Sequence, residues 1–442
     1  MAIKSGYDLV IRQAKMLVVA SIAEVDIGIK DGKIVEIGDL SSAKSFAFLN
    51  AKGLHILPGV IDTQVHFREP GYEYKEDLST GSAAAVLGGV TSYFEMPNTN
   101  PSTVSITNLQ DKLSRAAKKS WANFAFYGGA TVDNIHILPE LEQVPGCCGI
   151  KVFIGSSTGN LLVSEDKLIK EILRVTKKRV AFHAEDEARL QERKYLVTKD
   201  STAITHPIWR DVLTATIATS KILSFAKELN KAVHILHVTT KDEIAILGNY
   251  RNLATVEVTP QHLTLVAPDC YEQLGNYARM NPPIRDEIHQ QGLWQGIKDG
   301  TVDMIGSDHA PHSLEEKKRP YAESPSGMPG VQTLLPLMLN HYNLGRLSLE
   351  KLVQLTSSNS ARIFGIHNKG LIAKGYDADL VLVDLKKKWK IDKKWLASKC
   401  GWSPFEGMNL KGYPDTTIVG GNIVVQNGEL IGNPAGKALA FL

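Results

Sequence analysis

The chain has 442 residues, 43% of them hydrophobic and 22% charged, which excludes collagen-like, disordered and coiled-coil architectures. Its 50 Lys plus Arg against 47 Asp plus Glu leave a formal net charge of +3, so no nucleic-acid partner is expected. Four cysteines without a C-x-x-C pair, two of them the adjacent Cys147 and Cys148, support neither a disulfide framework nor a zinc–thiolate site, and a reducing compartment fits best.

In chain order, Met1 to Asp8 has no apolar signal-peptide core, and nowhere does an uncharged apolar run approach 18 residues. A cytoplasmic protein with no membrane span is therefore expected. Residues 7–20 and 24–39 are rich in Val and Ile. The turn Asp31-Gly32-Lys33 separates Val25, Ile27 and Ile29 from Ile34, Val35 and Ile37, which predicts a β-hairpin. Eight short apolar runs follow, at 59–67, 90–96, 123–128, 149–154, 180–184, 232–238, 255–259 and 302–307. Between most of them lie stretches of helical periodicity, as at 78–87, 106–118, 165–177, 209–229 and 286–298. Strand–helix alternation implies a parallel sheet, and eight repeats favour a closed (β/α)8 TIM-type barrel. A doubly wound sheet would want a Gly-rich fingerprint after its first strand. This first run ends instead in Gln64-Val65-His66-Phe67-Arg68. At the far end, 379–384 reads as a strand and 416–425 as a hairpin turning at Gly420-Gly421, with another turn at Asn427-Gly428. The two β-rich ends predict one composite β-sandwich domain from residues 1–56 and 366–442, flanking a barrel at 57–365.

Barrel active sites lie at the C-terminal ends of the strands. Those ends carry Gln64, His66 and Arg68 on the first strand and Asn98 on the second. Lys151 lies on the fourth, His183 on the fifth, His237 on the sixth and Asp308 on the eighth. One strand histidine is usually a hydrogen-bonded packing residue. Several His and Asp at successive strand ends are hard to explain as packing, since each unpartnered buried polar group costs roughly 1–3 kcal/mol. A metal centre is the simpler explanation. Gln64 and His66, two apart on a strand, can face one ion, and His183, His237 and Asp308 suit zinc. Lys151 can ligate only if neutralised or converted by CO2 to a carbamate. Its bland alternatives are a buried lysine paired to a carboxylate or one facing solvent.

These segments, with Met96-Pro97-Asn98-Thr99, Arg279-Met280-Asn281-Pro282-Pro283-Ile284-Arg285 and Ser307-Asp308-His309-Ala310-Pro311-His312, resemble the amidohydrolase superfamily of metal-dependent hydrolases. Within it they resemble the dihydroorotases of the longer, bacterial type. The resemblance covers nearly the whole chain. It implies reversible cyclisation of N-carbamoyl-L-aspartate to L-dihydroorotate in pyrimidine (UMP) biosynthesis, with one or two Zn2+ ions as cofactor. It also implies metal positions at His66, Lys151 (carbamylated), His183, His237 and Asp308. Arg68, Asn98, Asn281 and His312 match the substrate-binding positions. Arg68 suits a carboxylate, to which Asn98 and a protonated His312 can also donate. Asn281 offers donor and acceptor to a ring amide. Asp308 is the expected catalytic residue, moving a proton between water and the leaving nitrogen. Family habit suggests a homodimer.

Two departures stand out. Gln64 replaces the first histidine of the family's usual His-x-His, and a neutral amide oxygen is the weaker zinc ligand. The segment Gly149-Ile150-Lys151-Val152-Phe153 looks like the carbamylated-lysine strand of hydantoinases and allantoinases rather than the Asp bridge of many bacterial members. The rival readings are accordingly another cyclic-amide hydrolase, such as an allantoinase or dihydropyrimidinase, or a metal-poor inactive homologue serving as an assembly partner. His55, His206, His234, His289, His341 and His367 are read as structural or surface groups, and His262 as a residue behind the site. The run Glu315-Glu316-Lys317-Lys318-Arg319 is read as a solvated loop, and 320–330 as a cover over the pocket.

Overall fold

The computed structural model describes residues 6–18, 21–156 and 161–442. Val19 and Ala20, which end the first expected β run, lie outside the described residues, as do Met1 to Ser5.

The chain begins with β1 (Tyr7–Val18), β2 (Ser21–Lys30) and β3 (Lys33–Gly38), an antiparallel meander. Its second turn has φ of 51° at Asp31 and 75° at Gly32, the two positive values that a two-residue type I′ hairpin requires. β4 (Ser45–Asn50) and β5 (His55–Pro58) then run parallel to successive halves of β1.

After Gly59 come eight parallel strands. They are β6 (Val60–Val65), β7 (Val90–Glu95), β8 (Asn123–Gly129), β9 (Cys147–Phe153), β10 (Val180–His183), β11 (Val233–Ile235), β12 (Ala254–Val258) and β13 (Met304–Ile305). Every residue of these strands is buried, because a parallel sheet is covered on both faces. That double burial is why they read as continuous apolar runs. Strand order in space follows chain order. The His66 N–H donates to the His309 carbonyl at 2.7 Å, and this bridge between the first strand and the segment after the last closes the barrel. Inside, Ile61, Phe94, Met96, Tyr127 and Leu236 pack together, so the barrel is a filled core rather than a pore.

The crossover helices start where their caps dictate. Asp77 accepts from the N–H groups of Ser79 and Thr80, and the Thr80 side chain reciprocates, which opens the helix Leu78–Leu87. The single helix expected over 209–229 is in fact two, Thr205–Trp209 and Val212–Leu229. Asp211 caps the second helix through Thr214, and the break frees the Arg210 guanidinium to reach Glu185. Among the described residues no helix is long and apolar enough to cross a membrane.

The chain returns through β14 (Leu380–Lys390), β15 (Asn409–Val419), β16 (Asn422–Gln426) and β17 (Glu429–Leu430). β14 inserts between β5 and β15, so strands from both chain ends share one sheet. Their core is shared too. Ile11, Ile27 and Ile29 pack with Leu380, Leu382 and Ile418.

Candidate functional site

At the C-terminal mouth of the barrel a narrow cavity is lined by Gln64, His66, Arg68, Asn98, His183, His237, Asn281 and Asp308, with Phe153, Ala310, Ser326 and Gly327. Eight of the ten expected site residues thus meet in one place. The other two adjoin it. His312 Nε2 lies 3.3 Å from an Arg68 nitrogen, and Lys151 Nζ lies 4.5 Å from the centre of the Phe153 ring. A larger, shallower hollow of about 830 Å³ lies in the β sheet beside Arg12, Asp26 and Phe48, but its lining holds no histidine.

Three of these residues have backbones in the left-handed region, with φ of 65° at Arg68, 39° at His237 and 43° at Asp308. Such conformations cost of order 1–3 kcal/mol each. All three sit where a strand gives way to its loop, and the turn aims each side chain back over the barrel.

Hydrogen-bond partners fix the protons. The Asn98 amide oxygen accepts from His66 Nδ1 at 2.7 Å. Burial holds His66 below its ordinary imidazole value, so the ring is neutral and its Nε2 carries a lone pair. That lone pair faces Asp308 Oδ1 at 3.2 Å. On the opposite wall His183 Nε2 donates to Glu185 Oε2 at 2.9 Å. Its Nδ1 then accepts from His237 Nε2 at 3.0 Å. Burial would raise the Glu185 pKa, but Arg210 and His183 outweigh it and hold the carboxyl below its usual range. Gln64 Nε2 donates to Asp308 Oδ1 at 3.0 Å.

Among the described residues no three His, Cys, Asp or Glu side chains already stand at ligand spacing around one point. The donors nonetheless fit a cation. A lone pair opposite a carboxylate, as in His66 and Asp308, is relieved by a positive ion. Gln64 Oε1, His237 Nδ1 and Lys151 Nζ are buried without hydrogen-bond partners among the described residues, and native proteins rarely leave such groups unsatisfied. Lys151 is 1% exposed, so neither bland reading of it, a carboxylate pair or a solvent-facing lysine, is realised. Burial lowers its pKa to about 7 against the pull of Asp308 and Glu257.

Arg68 is 3% exposed. Burial lowers its pKa only to about 10, so it stays cationic at neutral pH. It donates through Nε to the Pro311 carbonyl at 3.1 Å. Its neighbour Glu69 pairs with Lys119 and Arg115 instead. Asn281 Oδ1 lies 3.0 Å from His206 Nε2. The expectation of a protonated His312 is corrected. Burial and the cations Arg68, Lys75 and Lys317 hold it well below the imidazole value despite Glu316, so it is neutral. The run 315–319 is corrected as well. Glu316 pairs with Lys75 at 2.8 Å, and Lys317 is buried, donating to the carbonyls of Pro325 and Gly327.

Sequence reasoning passed over Glu185, Arg210, Lys75 and Glu316. Glu185 lies two residues beyond His183 at a strand end, and a carboxylate there was the available sign. The partners of Lys75 lie more than 230 positions away, beyond any local pattern. His309 accepts the N–H groups of Gly330 and Val331 on Nδ1 and thereby pins the cover segment. His262 sits between Thr259 and the Pro282 carbonyl and holds the Asn281 segment.

The amidohydrolase family model matches residues 55–424. A dihydroorotase of Methanosarcina mazei is 36% identical over 98% of this chain and 97% of its own length. One of Pyrococcus abyssi is 35% identical over 96% and 97%. Among solved structures, the L-hydantoinase (dihydropyrimidinase) of Arthrobacter aurescens superposes with a TM-score of 0.93 at 28% identity, covering 98% of this chain and all of that one. The dihydropyrimidinase of Brevibacillus agri gives 0.88 at 26%, covering 97% of each. The chain belongs to the amidohydrolase family.

Proposed function

We propose that the protein is a dihydroorotase, a cyclic-amide hydrolase interconverting N-carbamoyl-L-aspartate and L-dihydroorotate. The observation that carries this is Arg68, a buried guanidinium that stays charged and lines the same cavity as the paired histidines and Asp308. Such a group stabilises a substrate carboxylate through charge-assisted bonds. Hydantoin and allantoin lack that carboxylate.

The proposed cofactor is Zn2+, one ion or two, held by His66, Lys151 as its carbamate, His183, His237 and Asp308, with Gln64 through Oε1. Bound there, the metal would polarise the ring carbonyl and lower the pKa of a water toward ~7. The protein's own groups do the rest. Gln64 fixes Asp308 by donating to Oδ1, the oxygen that also faces the His66 lone pair. We assign the second Asp308 oxygen to the proton, taken from the attacking water and passed to the leaving nitrogen. In ring closure it accepts the ureido proton. Asn98 orients His66 and donates to the substrate carboxylate, and Asn281 holds the ring amide. Ser326 and Gly327, from the cover segment, limit access of bulk water. We place the protein in the cytoplasm from its cysteine usage, as a homodimer on the resemblance alone, with domain boundaries near residues 56 and 366 where the β-rich ends meet the strand–helix pattern.

The test is hydrolysis of L-dihydroorotate by zinc-supplemented protein with bicarbonate, beside hydantoin. Dihydroorotate turnover is expected. Arg68→Ala should raise its KM at least about tenfold, or ~1.4 kcal/mol, with a much smaller effect on hydantoin. Equal losses on both would make Arg68 structural. Turnover of hydantoin or allantoin alone would reassign the substrate, and none in folded protein would favour the inactive assembly partner.

A further inference from the structure

Lys75 lies in the loop after β6 and is 9% exposed. Its Nζ stands 3.0 Å from His312 Nδ1 and 2.8 Å from Glu316 Oε1. His312 Nε2 stands 3.0 Å from the Ser326 carbonyl oxygen and 3.3 Å from the Arg68 guanidinium. Each contact restricts where the imidazole proton can sit. A lysine held by a carboxylate is an ammonium, which donates and cannot accept. His312 Nδ1 therefore presents a lone pair to it. The other oxygen of Glu316 is 3.8 Å from Nδ1, too far for a hydrogen bond, and is taken by the Ser313 N–H at 3.1 Å. The ring proton is left on Nε2, where the Ser326 carbonyl accepts it. The approach of Arg68 to that nitrogen is then one donor beside another. The Arg68 nitrogen, which finds no acceptor in His312, is left for an acceptor in the cavity that Arg68 and Ser326 line, and a carboxylate is such an acceptor.

We propose that Lys75 is a positioning residue. It locks His312 in the neutral Nε2–H form, so that His312 holds the Ser326 carbonyl and leaves the Arg68 guanidinium to the substrate carboxylate. This rests on the dihydroorotase reading of the site and deepens it. Charge on the substrate is matched by Arg68, while His312 contributes a directed neutral donor to the Ser326 carbonyl of the cover segment. Lys75 also couples the loop after the first barrel strand to the short helix Leu314–Lys317 after the last, so the carboxylate end of the site is held across the barrel seam. The chain encodes this in two separated places, Tyr74-Lys75-Glu76 and Ser313-Leu314-Glu315-Glu316. In the second, Ser313 caps the helix and Glu316 returns the bond.

The experiment uses the full-length zinc-loaded protein labelled with 15N-histidine, His312 being identified by the signal lost in His312→Asn. A protonated Nε2 and a bare Nδ1 are expected in the wild type. In Lys75→Met, which keeps the stem and removes the donor, His312 should show mixed tautomers. The KM for L-dihydroorotate should rise about tenfold, with kcat changed far less and hydantoin KM nearly flat. Lys75→Arg, which keeps a donor, should restore part of the loss and covers the case in which Lys75→Met fails to fold. A proton on Nδ1 in the wild type would overturn the proposal. So would an unchanged tautomer in Lys75→Met, or equal loss of kcat on both substrates. The spectrum does not depend on turnover. An Nε2–H signal in a protein that leaves dihydroorotate untouched would therefore sink the dihydroorotase reading while upholding the tautomer lock.

Discussion

Lys151 shows most directly what burial does to a single residue here. Its amine lies inside the barrel mouth without a hydrogen-bond partner among the described residues, over the face of Phe153. A primary amine reacts with CO2 only as the free base, and an ordinary lysine near pKa ~10.4 is almost never that at neutral pH. Burial brings Lys151 to about 7, where a large share of it is the free base. The carbamate in turn would place an anion near His183 and the open lone pair of His237 Nδ1, which a metal stabilises. Protein prepared with 13C-bicarbonate and zinc should therefore show one carbamate carbon signal that Lys151→Gln lacks. The variant should also bind less zinc by elemental analysis and lose roughly 10²–10⁴ of its turnover, as when a group acting directly on the chemistry is removed. Full metal content and activity in Lys151→Gln would refute the role.

Single elements show where local pattern sufficed and where it did not. The eight barrel strands fall on the eight apolar runs because both faces of each are covered. The helix Leu78–Leu87 falls on the expected stretch, and Asp77 caps its start. The break at Arg210 was not legible, since a buried guanidinium sought Glu185, 25 positions back. The site residues on strand ends were legible for the same reason as the strands, being polar interruptions of apolar runs. Lys75 and Glu316 were not, because their meaning lies in partners brought by the fold. The helix Leu334–Asn343 carries a further case. His341 is 3% exposed, bonds to Thr264 at 2.9 Å and packs edge-on against Trp294. Burial, with Arg346 adding to it, lowers its pKa to about 3. The unfolded chain holds His341 near pKa ~6.5, so both states are neutral above that pH and stability is unaffected there. As pH falls from ~6.5 toward 3, the unfolded state takes the proton first, and stability drops by up to about 1.4 kcal/mol per pH unit. His341→Gln keeps an amide to bond Thr264 and removes this proton. Between pH 6.5 and 5 the variant should lose about 2 kcal/mol less than the wild type in urea unfolding. An identical pH dependence would mean that the histidine is protonated or exposed in the folded state.

At the scale of the whole molecule, sheet and barrel are tied at several points. Only Gly59 separates β5 of the sheet from β6 of the barrel, and its N–H donates to the Asp379 carbonyl at 2.9 Å. The Asp379 carboxylate accepts from Asn123 at the start of β8 and from the Gly420 N–H in the β15–β16 turn. Thr417 on β15 donates to the Val86 carbonyl in the first crossover helix at 2.7 Å. Links of this kind make the two units unfold together. Leu382 tests that. It is fully buried in β14, faces Ile56 of β5 and Thr416 of β15, and packs among core residues from both chain ends. Its strand partners and core neighbours include none of the site residues. Leu382→Ala should cost about 2–5 kcal/mol, the transfer and cavity terms of an emptied leucine site. If the molecule is one cooperative unit, the loss will appear equally in tryptophan fluorescence and in residual activity during denaturant unfolding, as one shifted transition. If the sheet melts first while activity persists to the wild-type midpoint, the links through Asp379 and Thr417 are weaker than the barrel's own packing, and the composite sheet is a separate folding unit that merely shares the chain.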